Sequence, residues 1–285
     1  MTMDYKSHFH FHRAPFTLTP NCDLFFPDQH LETLEAIVYA IQRGEGIVKV
    51  TGEVGTGKTM LCRLLIDSLI SSWNVAYLTA PQSNPKAMAK YVCREFDAPL
   101  VDDDPFQSLQ SFLIQCRDNN QRAILIVDEA QGLGTEGLEA IRLLSNLETE
   151  DQKLLQIILF GQFELNHILS SYGLRQLNQR ISFSFDTNPF NTTHAIKYIL
   201  HRLRNSIDHD VAYNVIAPKA LLALASHSRG VPRLINILAD KSFLEAYAAG
   251  KNVVQEKHVL KAVLDTAEQT TPLTFKERIK LSFSK

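Results

Sequence analysis

The run Ile47-Val48-Lys49-Val50-Thr51 breaks into Gly52-Glu53-Val54-Gly55-Thr56-Gly57-Lys58-Thr59, and apolar residues then recur at helical spacing from Met60 to Ile70. A β-branched strand that ends in a glycine-rich turn and restarts as a helix constrains this region to an α/β layer. Backbone N–H groups in such a turn can point inward, where a side chain would collide, and they cradle an anion. The helix that follows adds its positive N-terminal end. Gly, four residues and then Gly-Lys-Thr is the Walker A spacing, so this stretch together with Met60 is the expected phosphate-binding segment. Lys58 is expected to reach the β- and γ-phosphates of ATP, and the Thr59 hydroxyl to ligate Mg²⁺. With glycine at about 7% of average composition, a chance match in such a chain is about one in a hundred.

A second landmark is Gln121-Arg122-Ala123-Ile124-Leu125-Ile126-Val127-Asp128-Glu129. A continuous apolar run that ends in two carboxylates reads as a buried parallel strand, whose C-terminal end is where doubly wound sheets bind ligands. Asp128 fits the Walker B aspartate that orients the Mg²⁺ shell, and Glu129 is then placed to polarise an attacking water as general base. Alone the run is weak; paired with the upstream loop it points to hydrolysis. Val75–Leu78 and Leu154–Phe160 read as further buried strands, the latter closed by Gly161-Gln162. Gln162 is either an ordinary turn residue or a polar group set between the carboxylates and the γ-phosphate. Arg175 and Arg180 precede a fifth strand, Ile181–Phe185. Arginine suits the neutralisation of charge on a transferring phosphoryl group, although a single arginine is more often a surface or salt-bridge residue.

Beyond Asn188-Pro189 the alternation of strand and helix stops and only helical patterns follow, near 192–204, 218–226, 232–249 and 255–268. The expected organisation is an α/β core with an N-terminal extended segment over 1–188, a helical lid over 189–268 and a basic tail over 269–285. Arg233 sits in the first turn of a long helix, either as a surface arginine at a helix start or as a group that reaches back to the nucleotide phosphates. Near the N-terminus His8, His10 and His12 alternate with Phe9 and Phe11 as an extended segment; a solvated or packed face is favoured over a metal site. Asp102-Asp103-Asp104 before Pro105 reads as a surface turn that caps the next helix. Net charge is −2, with 21% charged and 45% hydrophobic residues, so no global basic field argues for nucleic acid or membrane. The four cysteines form no CxxC pair and read as free thiols of a reducing compartment. The expected location is cytoplasmic, with any membrane role coming only through partners.

The array GEVGTGKT (52–59), LIVDEAQGL (125–133), LFGQFEL (159–165), LRQLNQRI (174–181) and SRGVPRLINIL (228–238), with Phe9, Pro15-Phe16 and Thr19-Pro20, resembles the ExeA/GspA-type AAA+ ATPases of bacterial secretion and pilus assembly. The resemblance implies a P-loop parallel sheet sandwiched by helices and followed by a small all-α lid. It makes Gln162 the sensor 1 residue and Arg233 sensor 2. Arg175 and Arg180 become the candidates for an arginine finger presented to a neighbouring subunit, Arg180 being favoured for its nearness to the fifth strand. Pro15–Phe25 and Gly44 would line the adenine pocket. A shared site implies a nucleotide-dependent ring, commonly a hexamer, with secretion or pilus components as partners. Secretion-branch members continue into a transmembrane segment and a peptidoglycan-binding part, so a chain of 285 residues points to a short cytoplasmic branch. A DNA-handling adaptor ATPase with the same core and lid is the alternative. It should carry a basic groove-reading element, which is not evident in the lid. A small-molecule P-loop kinase fits less well, given the Asp128-Glu129 pair and the helical lid.

Overall fold

The structure is a computed structural model that describes residues 5–19, 21–44, 46–79, 84–101, 104–150, 152–207, 215–266 and 274. Asp102, Asp103 and the basic tail apart from Thr274 lie outside the described residues. In chain order the regular elements are α1 (Tyr5–His8), α2 (Asp28–Arg43), β1 (Ile47–Gly52), α3 (Lys58–Leu69), β2 (Trp73–Leu78), α4 (Pro85–Glu95), α5 (Pro105–Asp118), β3 (Arg122–Val127), α6 (Gly134–Leu144), β4 (Leu155–Gly161), α7 (Glu164–Leu169), α8 (Arg175–Gln179), β5 (Ile181–Thr187), α9 (Thr192–Arg204), α10 (Pro218–His227), α11 (Pro232–Ala248) and α12 (Glu256–Leu264). They form two compact units, one of residues 29–54 and 58–187, the other of residues 1–28, 55–57 and 188–285.

The first unit is built on a five-stranded sheet in the order β2-β3-β4-β1-β5, every neighbouring pair parallel. Successive side chains of a strand face opposite ways, so each apolar run feeds two cores. Ile124 and Ile126 of β3 join Val48, Val50, Ile158 and Phe160 in one cluster, shared with Ile37 of α2 and Leu61 and Leu65 of α3. Leu125 and Val127 join Ile157 and Leu159 in the other, shared with Met88, Leu109 and Leu138 of α4 to α6. β5, at the sheet margin, alternates half-buried and exposed residues and so lacks a second apolar face. Parallel register aligns like ends: Leu78 pairs with Val127, Val127 with Leu159, and Thr51 with Gly161. The turns after β1, β3 and β4 therefore emerge at one edge. Ile181 pairs with Ile47 at the opposite edge.

Boundaries shift where local chemistry outweighs apolar spacing. α3 starts at Lys58, ahead of its apolar stripe, because the phosphate loop runs directly into its first turn. α6 spans Gly134–Leu144 rather than Leu138–Leu147, since a 3-10 turn at Ala130–Leu133 leads into it and Ser145 already caps its end. α5 starts at Pro105, and Asp104 caps it as the acidic turn suggested, accepting from the Phe106 and Gln107 N–H groups at 3.0 and 3.5 Å. α7 and α8 have six and five residues, too short for periodicity to reveal.

The second unit is helical, and the N-terminal residues belong to it. The sequence reading made them an extended segment of the α/β core; the packing of their phenylalanines decides otherwise. Residues 5–8 form α1, and Phe9, Phe11 and Phe16 are buried around Phe243 of α11, with ring centroids 4.9, 5.3 and 5.9 Å away. Arg202 of α9 donates to the Pro15 carbonyl at 2.7 Å, and the Asn236 amide to the Thr17 carbonyl at 3.1 Å, so the segment is stapled through its own backbone. The alternation of His8, His10 and His12 is broken by the helix and by a left-handed His10 (φ 58°). Among the described residues no group of three or more His, Cys, Asp or Glu could hold a metal ion. Gly230 is required sterically: at φ +73° its Cβ would lie 1.8 Å from the Phe190 carbonyl oxygen. No described helix is long and apolar enough to cross a membrane.

Candidate functional site

At the C-terminal edge of the sheet, β1 ends in the loop that delivers Lys58. Its ammonium donates to the Gly52 and Glu53 carbonyls at 2.8 Å each, and the residue is 5% exposed. Burial lowers the Lys58 pKa, opposed in turn by the negative charges of Glu129, Asp128, Glu53 and Glu164. A buried cation near four carboxylates, with carbonyl oxygens as its hydrogen-bond partners among the described residues, is suited to a polyanionic ligand.

β3 delivers the carboxylates. Asp128, 9% exposed, accepts at Oδ2 from the Thr59 hydroxyl and the Tyr77 phenol, each at 3.2 Å, and at Oδ1 from the Glu129 N–H at 2.9 Å. Tyr77 extends from β2, the neighbouring strand. Its phenol is pushed strongly upward, first by burial and then by Cys62 and Asp128, so it stays a neutral donor. Glu129 is left-handed (φ 51°), which turns the chain sharply at the strand end and leaves its side chain exposed. Its Oε2 accepts from Gln131 Nε2 at 2.5 Å and from Gln162 Nε2 at 3.2 Å. Gln131 Oε1 accepts the Gln162 backbone N–H at 3.0 Å.

The sheet thus brings Lys58, Thr59, Asp128, Glu129 and Gln162 to one edge, and parallel register is the reason. Arg175 and Arg180 are not there. Arg180 precedes β5 at the opposite edge, half-buried, and donates to the Ser145 carbonyl at 3.1 Å and hydroxyl at 3.3 Å. Arg175 is exposed at the start of α8. Arg233 and the loop tip, Gly55–Gly57, fall in the helical unit. There the Arg233 N–H donates to the Gly55 carbonyl at 3.2 Å, and a Cβ on Gly55 (φ +84°) would stand 2.6 Å from the Arg233 Cβ. Tyr77 and Gln131 were missed from the sequence. Tyr77 sits inside an apolar strand pattern, where an aromatic reads as core. Gln131 follows the carboxylates by two and three residues, a spacing that means little until a 3-10 turn folds it back. A hydroxyl and one carboxylate, Thr59 and Asp128, suit a Mg²⁺ ion whose remaining ligands are water and phosphate oxygens.

Residues 41–169 match the AAA domain family. The chain is 35% identical over 255 residues to General secretion pathway protein A of Aeromonas hydrophila, covering 88% of this chain but only 46% of that protein's length. The fold is similar to that of the ORC2 protein of Aeropyrum pernix (TM-score 0.66, 16% identity, covering 90% of this chain and 72% of that one). It is also similar to Cdc6p of Pyrobaculum aerophilum (TM-score 0.63, 17% identity, 96% and 73% covered). The RuvB Holliday junction branch migration motor of Thermotoga maritima is more distant (TM-score 0.52, 17% identity, 89% and 73% covered). The protein has the P-loop AAA+ fold and is related in sequence to General secretion pathway protein A.

Proposed function

We propose that the protein binds ATP with Mg²⁺ and hydrolyses it to drive or switch the assembly of a bacterial secretion or type IV pilus machinery. The observation that carries the hydrolytic part is the convergence of Glu129 and Gln162 with Lys58, Thr59 and Asp128 at one sheet edge. Lys58 exchanges its carbonyl partners for phosphate oxygens. Thr59 and Asp128 are the groups that would hold Mg²⁺, which when bound supplies charge neutralisation at the β- and γ-phosphates. Glu129 takes the proton of the attacking water, and Gln162 orients that water or the γ-phosphate. Gly52 through Thr59 and Met60 cradle the phosphates, and Arg233 acts as sensor 2.

The site is completed by an arginine from a neighbouring subunit in a nucleotide-dependent ring. Arg180 was favoured on position in the sequence, but its guanidinium is engaged at the end of α6 by Ser145. The exposed Arg175 is the better finger. For partners, the resemblance to secretion-pathway A proteins supports secretion or pilus components at the inner membrane, met from the cytoplasm. The finer reading, from the resemblance to MshM, is the mannose-sensitive haemagglutinin pilus. The test is Glu129→Gln, expected to retain ATP binding and lose about 10²- to 10⁴-fold in turnover. Wild-type turnover in that variant removes the general base from the mechanism, and failure to bind ATP removes the site.

A further inference from the structure

The geometry points to Gln131 as a positioning residue that ties the general base to the end of β4. The proposal takes Glu129 as base from the function proposed above. Gln131 lies in the 3-10 turn after β3, and its amide is used at both ends: Nε2 donates to Glu129 Oε2 at 2.5 Å and Oε1 accepts the Gln162 N–H at 3.0 Å. The amide has one sensible orientation, since a carboxylate needs a donor and a backbone N–H an acceptor. One side chain thereby joins the carboxylate at the end of β3 to the main chain at the end of β4, while the Gln162 side chain reaches the same Oε2 at 3.2 Å. Glu129 alone would be a long exposed side chain on a left-handed residue, free to sample several rotamers. Held from two sides, it keeps one position.

A second feature of the fold is fitted to this link. Gly161, the last residue of β4, has no room for a side chain: a Cβ there would lie 2.8 Å from Leu165 Cδ2 and 3.1 Å from Gln131 Oε1. The glycine gives the Gln131 amide its close approach to the strand end. Because Gln131 touches both Glu129 and the backbone of Gln162, any shift of the β4 end moves the base with it.

The experiment compares wild type, Gln131→Ala, Gln131→Glu, Glu129→Gln and the double variant Glu129→Gln/Gln131→Ala. ATP turnover, binding of a fluorescent ATP analogue, and hydrogen exchange of the Gln162 amide in nucleotide-free protein are measured. Gln131→Ala is expected to lower kcat about 10- to 100-fold with KM for ATP within about two-fold, because the base is displaced rather than removed. Gln131→Glu keeps the acceptor for the Gln162 N–H but repels Glu129, so kcat falls similarly while amide protection survives. In Gln131→Ala that protection is lost. The double variant should be no slower than Glu129→Gln, as for a residue acting through another. Wild-type kcat in either Gln131 variant, a further loss in the double variant, or loss of analogue binding overturns the assignment. Full turnover in Glu129→Gln would instead overturn the base on which it rests.

Discussion

Both units bury a cation, yet the surroundings of the two differ. In the α/β unit Lys58 stands at the sheet edge with loop carbonyls as its hydrogen-bond partners, beside carboxylates that also serve other groups. In the helical unit Arg202, 3% exposed, is held by the Pro15 carbonyl, the Thr17 carbonyl and hydroxyl, and the face of Tyr198 at 5.7 Å. Burial lowers the pKa of both. Arg202 offsets that cost with contacts that fix the course of residues 15–17, so its charge is structural. Lys58 offsets it only in part, and a phosphate would do better. A buried charge whose hydrogen bonds tie down the course of a chain segment reads as architecture; one set among carboxylates in a glycine-rich phosphate-type loop reads as a site.

The largest expected test of this contrast is steric. Gly230→Ala, which forces a Cβ into the Phe190 carbonyl, should cost more than about 3 kcal/mol in denaturant unfolding. Gly134→Ala in the α/β unit, at a positive-φ extended conformation (φ 61°, ψ −169°) but with nothing within 4 Å of its Cβ, should cost less, about 1–3 kcal/mol. Similar small costs would show that the Phe190–Gly230 contact does not hold the helical unit. Next, Phe243→Ala should cost about 3–5 kcal/mol. Its hydrogen-exchange protection should be lost in residues 5–19 and α11 while β3 and β4 keep theirs. Equal loss in the sheet would contradict two separate cores.

A smaller effect separates the cations directly. Arg202→Met strands the Pro15 carbonyl and should destabilise by about 1–3 kcal/mol, whereas Lys58→Met in nucleotide-free protein should cost less than about 1 kcal/mol. The reverse order would make Lys58 the structural residue. The smallest effect is pH-linked. The folded pKa of Lys58 is below the ordinary 10.5, so between the two values the unfolded chain binds more protons and stability rises with pH. Wild type should therefore gain on Lys58→Met as pH climbs toward 10.5, with the full penalty present below the lowered pKa. A pH-independent difference between them would remove the desolvation argument.

Local chain chemistry determined much of this protein. The β-branched run into Gly52–Thr59 specified strand, loop and helix, and the apolar run into Asp128-Glu129 specified a buried strand with carboxylates at its end. Those features depend on neighbours in the chain and on periodicity, which a sequence carries openly. Tertiary structure decided the rest. That Tyr77 meets Asp128 follows from β2 lying beside β3, and that Gln131 reaches Gln162 follows from β3 lying beside β4; strand order is not written in any one segment. That Arg180 donates to Ser145 at the end of α6 while Arg175 is exposed likewise follows only from the tertiary structure. The first residues read as an extended part of the core because phenylalanines alternating with histidines fit a strand. Phe243, more than two hundred positions away, offered a better burial, and long-range packing overrode the local pattern.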